Sequence, residues 1–464
     1  MTEIIAGCRD QQPMDRRQLQ KLQLGKLLSL LGPVLESNDF YGRKLRAAGV
    51  RSPEDVSTIE AYRQLPFTTK QELSSDQAEH PPYGTNLTFP ADRYVRLHQT
   101  SGTTGRRLRW LDTEESWQWF GSCWRTVFEG AGVCAGDRMF FAFSFGPFIG
   151  FWTAWEGARQ LGVMAIPGGG MSSEQRLDAI VANKATVLLS TPTYALHLAE
   201  VAAGMGLDTA GDTAVRICIH GGEPGAGLPA TRERIETAWG AQVYDHAGAT
   251  EVGAWSFQCQ SRDGLHLNEA EFICEVVDPT TLAPAQEGEL VITGLGRTGM
   301  PVIRYRTGDW VRLQSEDAGC SCGRSFRKLV GGVIGRVDDA LSIRGMVVYP
   351  SAIENVVRRF PEVGEFAVDV HRPRALDELE IRLEDLSASD EEGKKFVDEA
   401  GADIAGPEVT GASLTDRVAE AFHAQLGLRA RVTAVPHGSL PRFELKAKRF
   451  TDHRRMGAED ESKA

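Results

Sequence analysis

The 464-residue chain has no run approaching the roughly 20 consecutive apolar residues that a bilayer-spanning helix requires. A membrane-embedded protein is therefore not expected. The stretch Met1–Met14 lacks the charged-then-apolar pattern of a secretory leader, and eight cysteines over this length do not make a disulfide framework. Both features point to a reducing, cytoplasmic setting. Basic charge is also short. The 51 Lys and Arg stand against 63 Asp and Glu, a formal net charge of −12 that argues against a general nucleic-acid or membrane-surface binder. An anionic substrate would have to be held by a local cationic site working against that field. There is no internal repeat, and the 49 glycines gather in clusters rather than at a fixed period, which excludes a fibrous protein and points to loops that approach a ligand closely.

What is present exceeds one hydrophobic core, so two or more domains are expected. Residues 16–35 carry apolar side chains at helical spacing (Leu19, Leu22, Leu27, Leu30, Leu31, Val34). From Arg96 to Tyr244, short apolar runs at Met139–Phe143, Val163–Ile166, Val187–Ser190 and Val215–Ile219 alternate with amphipathic helix-length segments such as 173–183 and 228–239. That alternation predicts βαβ units and a parallel sheet covered on both faces. Strand-like runs follow Phe272, at Glu289–Thr293, Val302–Tyr305 and Trp310–Leu313, and predict a β-rich subdomain. Beyond Gly335 a smaller α+β pattern begins: a strand at Leu341–Ile343, a helix at Pro350–Phe360, a strand at Glu365–Val370 and a helix around Thr415–Leu426. The acidic, Gly-, Ser- and Ala-rich stretch 385–412 reads as a solvated loop, and Met456–Ala464 as a disordered tail. The expected fold class is α/β. It comprises a large multi-sheet N-terminal domain (1–336) and a small, mobile α+β C-terminal domain (337–464).

A loop rich in glycine and hydroxyls follows the predicted strand at Tyr94–Leu97: Thr100, Ser101, Gly102, Thr103, Thr104, Gly105 and Arg106. Backbone N–H groups, hydroxyls and one guanidinium suit a polyphosphate. The GxxxxGK[ST] spacing of nucleotide hydrolases is absent. By composition alone, a hydroxyl-rich turn would read the same way. Thr100–Gly105 resembles the phosphate-binding loop of the adenylate-forming superfamily of acyl-CoA synthetases, luciferases and adenylation domains. Asp245-His246-Ala247-Gly248-Ala249-Thr250-Glu251 is similar to its adenine-binding segment, and Tyr305-Arg306-Thr307-Gly308-Asp309 to its ribose-binding segment. Gly335-Arg336-Val337-Asp338-Asp339 resembles the inter-domain hinge, centred on Asp338, and Pro441-Arg442 with Lys446 the catalytic-lysine segment. Five ordered matches span about 350 residues. Tyr41–Val50, Leu65–Lys70 and Gly146–Met171 resemble the phenylacetate–CoA ligase branch.

The resemblance implies an enzyme that joins a carboxylic acid to ATP as an acyl-adenylate, releases pyrophosphate and passes the acyl group to coenzyme A. An amine or a carrier-protein thiol would need the same adenylating site, and a silent nucleotide-binding homologue is the reading from another class. Such chemistry is mainly positioning and charge neutralisation. By resemblance Glu251 holds Mg2+, Thr250 touches the α-phosphate, and Lys446 (with Lys448 as the fallback) is the catalytic lysine. The chain has Leu445 where the family usually has glycine, and Arg106 where it usually has lysine. Asp309 can accept hydrogen bonds from both ribose hydroxyls, with Arg336 as a second contact. Gly221, Gly222, Glu223 and Pro224 would lie along the adenine at the carboxyl end of the sheet, or make an ordinary strand–helix turn. His246 would orient the acid or make a structural hydrogen bond. Phe145, Phe148, Gly169, Gly170 and Ala247 form the candidate slot for an aryl or arylalkyl acid, whereas Phe140, Phe141 and Trp155 read as core. Cys259, His266, Cys320 and Cys322 could close a structural Zn2+ site or be unrelated thiols; Cys274 is set aside because it sits inside a strand. The expected partners are a small acid and its acceptor, with no nucleic acid and no membrane, and a homodimer is left open.

Overall fold

The computed structural model describes residues 14–100, 107–315, 318–343, 346–372, 377–387, 412–443 and 447–454. Two compact units emerge: Met1–Gly227 with Ile235–Val337, and Leu228–Arg234 with Asp338–Ala464.

The first unit opens on four helices, α1 (Arg16–Ser37), α2 (Asp39–Ala47), α3 (Ile59–Arg63) and α4 (Lys70–Glu79). Asp15 and Gln18 close a reciprocal capping box at the start of α1. Its apolar stripe (Leu27, Leu30, Leu31, Val34) packs with Ile273, Leu295 and Ile303. A hairpin follows, β1 (Tyr94–Gln99) with β2 (Arg109–Thr113), and then α5 (Glu114–Ala131).

The central sheet is parallel and ordered β4-β3-β5-β6-β7. Its strands are β3 (Arg138–Phe141), β4 (Met164–Pro167), β5 (Val187–Ser190), β6 (Ile217–His220) and β7 (Gln242–Asp245), with α6 (Trp152–Leu161), α7 (Ser173–Ala182), α8 (Pro192–Gly204) and α9 (Pro229–Trp239) between or beside them. The apolar runs are continuous because both faces are covered. Met139, Phe141, Val187, Leu189, Ile217 and Ile219 enter one hydrophobic cluster. Their alternate neighbours Phe140, Leu188, Cys218 and Val243 enter another.

After a small hairpin of β8 (Gly248–Ala249) and β9 (Gly253–Ala254), six antiparallel strands form a sheet ordered β10-β11-β15-β14-β13-β12. These are β10 (Ser256–Phe257), β11 (Leu265–Leu267), β12 (Phe272–Val277), β13 (Glu287–Gly294), β14 (Tyr305–Leu313) and β15 (Lys328–Arg336). The expected strands at Val302–Tyr305 and Trp310–Leu313 are corrected here: one strand, β14, runs through Tyr305–Leu313. The backbone turns at Arg304, whose φ is +46°. Its guanidinium holds the carbonyl of Arg63 (2.6 Å) and pairs with Glu275, which ties the segment before Thr68 to the start of β14. Thr68 bridges Tyr305 in parallel, with its N–H on the Arg304 carbonyl at 2.8 Å.

The second unit holds a hairpin of β16 (Leu341–Ile343) and β17 (Met346–Val348), a four-stranded sheet ordered β20-β19-β18-β21, and helices α10 (Pro350–Val357) and α11 (Leu414–Leu426). The sheet comprises β18 (Val363–His371), β19 (Glu378–Asp385), β20 (Arg431–Val435) and β21 (Phe450–Asp452). Its core joins Ile353, Val357, Phe366, Val368, Ile381, Val418 and Phe422. Arg358 and Arg449 both pair with the buried Glu365, at 3.1 and 2.6 Å. Burial would raise that carboxyl, but the two guanidiniums hold it at about 2.

Candidate active site and metal centre

The turns that leave the parallel strands carry most of the expected site. The order β4-β3-β5-β6-β7 reverses between β3 and β5, and ligands in such sheets bind outside the carboxyl ends near that reversal. Gly168–Gly170 follow β4, Gly221–Pro224 follow β6, and Asp245–Ala247 end β7. Thr100 is buried, and it closes the neck of the β1–β2 hairpin by accepting from the Leu108 N–H at 3.1 Å and donating to its carbonyl at 3.0 Å. Ser101, Gly102, Thr103, Thr104, Gly105 and Arg106 lie outside the described residues, as do Leu445 and Lys446.

Thr250 and Glu251 occupy the tight turn between β8 and β9, closed by the Val252 N–H on the Ala249 carbonyl at 3.2 Å. Asp309 on β14 faces Arg336 on β15 in register, with Nη1 to Oδ1 at 3.1 Å. The Arg336 guanidinium also donates to the Thr307 carbonyl at 3.0 Å. Gly308 makes this possible: its φ is +77°, and a Cβ there would meet Arg336 Nη2 at 2.6 Å. Tyr305, which the sequence marks only as the first residue of the ribose-like segment, also bears on this group. Its hydroxyl is pushed well above the ordinary phenol range by burial first and then by Glu251 and Asp309, with Arg336 acting in the opposite sense. One buried phenol thus lies within electrostatic reach of side chains from three separate motifs.

His246 is buried and its ring lies 4.3 Å from that of Trp124. A methyl at Gly221 would come within 2.9 Å of its Cδ2, and one at Gly248 within 3.1 Å of its Cε1, so both glycines make room for the imidazole. Burial lowers its pKa to about 4, so the ring is neutral at pH 7. Nδ1 faces the Ser256 carbonyl at 3.0 Å, so it carries the proton. Of the two roles considered, the structural hydrogen bond is the one the geometry displays. Glu223 accepts from the Thr193 N–H at 2.9 Å in the first turn of α8.

Phe145 packs in an aromatic nest with Phe143, Trp152 and Trp155, at centroid distances of 5.3, 4.6 and 5.8 Å. Gly169 comes up beside it, its would-be Cβ 3.4 Å from the Phe145 ring. Phe148 folds over Gly146 and Gly150, and Gly170 is exposed. Phe140 and Phe141 are fully buried core, as their strand positions imply, and Trp155 is partly buried against that core.

Beside the six-stranded sheet, Cys259 after β10, His266 on β11 and Cys320 and Cys322 in the loop before β15 bring one ligand atom each within 4.8 Å of one another. The Cys259 and Cys320 sulfurs are 3.6 Å apart, and Cys322 Sγ lies 3.4 Å from His266 Nε2. A tetrahedron built from zinc–thiolate and zinc–imidazole bonds has edges of about 3.8 and 3.6 Å, so the donor set fits the ion closely. His266 Nδ1 is 3.1 Å from the Phe326 carbonyl, which fixes the tautomer with Nε2 free to ligate. Burial keeps this imidazole neutral, at about 4. Cys274 stays apart, inside β12. Asp369, His371 and His453 form a second close group, but the two imidazoles stack at 8° and 4.3 Å. Lone pairs in parallel planes do not converge on one ion, and Asp369 is already engaged by Arg382 at 2.9 Å and His453 at 2.8 Å.

Known proteins bear on this arrangement. Residues 345–454 match the family described as AMP-binding enzyme C-terminal domain. The phenylacetate–coenzyme A ligase of Thermus thermophilus is 32% identical over 443 residues, 93% of this chain and 95% of the relative. The chain belongs to the phenylacetate–coenzyme A ligase family. The Escherichia coli phenylacetate–coenzyme A ligase is 31% identical over 447 residues, 95% of this chain and 96% of that protein. Among solved structures, 2-hydroxyisobutyryl-CoA ligase with 2-HIB-AMP superposes with a TM-score of 0.85 at 29% identity, covering 97% of this chain and 93% of the other. As a member of the family, the chain is an AMP-forming acid–thiol ligase of the adenylate-forming superfamily. Among the described residues no helix is long and apolar enough to cross a membrane.

Proposed function

We propose that this chain activates an aromatic or arylacetic acid and transfers it to coenzyme A. A carboxylate oxygen attacks the α-phosphorus of ATP, the bond to pyrophosphate breaks, and an acyl-adenylate forms. The coenzyme A sulfur, having lost its proton, then attacks the acyl carbon and AMP leaves. The observation that supports the reading is the Asp309–Arg336 pair, in register across β14 and β15 at 3.1 Å, with Glu251 within electrostatic reach of the neighbouring Tyr305. Asp309 accepts from the ribose hydroxyls, with Arg336 holding its other oxygen. Thr250 donates to the α-phosphate, and Lys446 neutralises charge as it builds there. Glu251 would hold Mg2+, which supplies neutralisation of the phosphate oxygens. Phe145 and Gly169 supply one flat apolar wall of the acid slot. Cys259, His266, Cys320 and Cys322 would hold a structural Zn2+ that staples β11 to the loop before β15. The reduced thiols suit a cytoplasmic setting.

Acid-dependent exchange of labelled pyrophosphate into ATP tests the first half-reaction. Benzoic and phenylacetic acids should support exchange well above acetate or propionate. Protein that binds ATP yet exchanges nothing across a broad panel of acids would overturn the proposal.

A further inference from the structure

Arg297 follows β13 and is buried, its side chain 1% exposed. Its guanidinium grips Asp112 on β2 with two bonds, Nε to Oδ1 at 2.7 Å and Nη2 to Oδ2 at 3.0 Å. The remaining arm points the other way: Nη1 donates to the Glu251 carbonyl at 2.9 Å and to the Thr250 carbonyl at 3.2 Å. The rings of Trp110 and Phe120 lie 4.8 and 5.0 Å from the guanidinium carbon. A buried ion pair costs desolvation that its mutual attraction only partly recovers, so stability alone is a weak reason for one here. The geometry gives another reason. Asp112 lies four positions past Leu108, which closes the hairpin neck with Thr100. One rigid planar fork therefore joins the strand leaving that neck to the backbone of the Thr250–Glu251 turn.

We propose that Arg297, anchored by Asp112, is a positioning residue for adenylation: it fixes the peptide planes of Thr250 and Glu251 and so aims their side chains. The proposal rests on the reading of Thr250 and Glu251 given above. Lysine cannot replace the fork, because an ammonium that meets Asp112 has no second planar arm for the two carbonyls.

The test compares Arg297→Lys and Asp112→Asn with the parent enzyme in both half-reactions. Pyrophosphate exchange reports adenylation, and a chemically supplied acyl-adenylate with coenzyme A reports transfer. In folded Arg297→Lys protein, kcat for exchange should fall by roughly 10- to 100-fold, the scale of about an ångström of misplacement. The half-saturating Mg2+ concentration should rise, the KM for acid should change little, and transfer should stay within about twofold. Asp112→Asn keeps the shape and should give a smaller loss of the same pattern, which decides the matter if the lysine variant does not fold. Equal losses in both half-reactions, tracking the loss of folded protein, would make the pair merely structural and overturn the proposal. So would unchanged exchange in folded variants. Failure of the parent enzyme to exchange would instead sink the proposed function.

Discussion

His246 sits beside the Thr250–Glu251 hairpin as a buried neutral imidazole, and His220, fully buried on β6, is similarly held at about 4. An unfolded chain offers both imidazoles to solvent, where they titrate near 6.5. As pH falls below about 6.5 the unfolded state takes up protons that the folded state refuses, so stability should decline between about 6.5 and 4 and level off for these groups below that. Thermal unfolding at pH 7.5, 6 and 5 should show Tm falling in that order; a Tm that rises on acidification would mean the rings are charged when folded. The window is distinct from that of Glu365, which is held at about 2. Lys446 makes a separate prediction at the same scale. Lys446→Ala should lower adenylation by roughly 10²–10³-fold, the scale of one preorganised donor, while transfer from supplied acyl-adenylate is much less affected. Lys448→Ala should act weakly on both. The reverse ranking would place the catalytic lysine two residues on.

At the scale of elements, the proposed binding of zinc by Cys259, His266, Cys320 and Cys322 would staple the loop between β14 and β15. Protein purified without added zinc should carry about one equivalent of the metal. Cys322→Ser should lose it and lower Tm markedly, while Cys134→Ser, at a thiol outside the group, should leave metal content unchanged. A metal-free protein of full stability would reduce the four residues to packing. This cluster was legible in the sequence because soft donors are rare and the four fall in two close pairs, Cys259 with His266 and Cys320 with Cys322. The parallel strands were legible too, since burial on both faces leaves unbroken apolar runs such as Val187–Ser190. The break at Arg304 was not. Its positive φ is imposed by contacts with Arg63 and Glu275, distant in sequence, which no local pattern of Val302–Tyr305 records. Asp112 and Arg297, 185 residues apart, were invisible for the same reason. The capping role of Glu223 and the structural hydrogen bond of His246 required the fold to place Thr193 and Ser256 beside them.

For the whole molecule, a net charge of −12 has to accommodate a substrate with four phosphate-borne charges and an acid anion. Local cations and backbone donors must outweigh that field, so the KM for ATP should be sensitive to ionic strength. The central claim is that the acid itself attacks the α-phosphorus, and the fate of its oxygen tests this directly. With phenylacetate labelled by 18O in both carboxylate oxygens, ATP and coenzyme A, mass spectrometry of the nucleotide product should find one 18O in AMP for each acyl-CoA formed. Label recovered in inorganic phosphate with ADP as the nucleotide product, or AMP carrying no label, would contradict an acyl-adenylate and the account built on it.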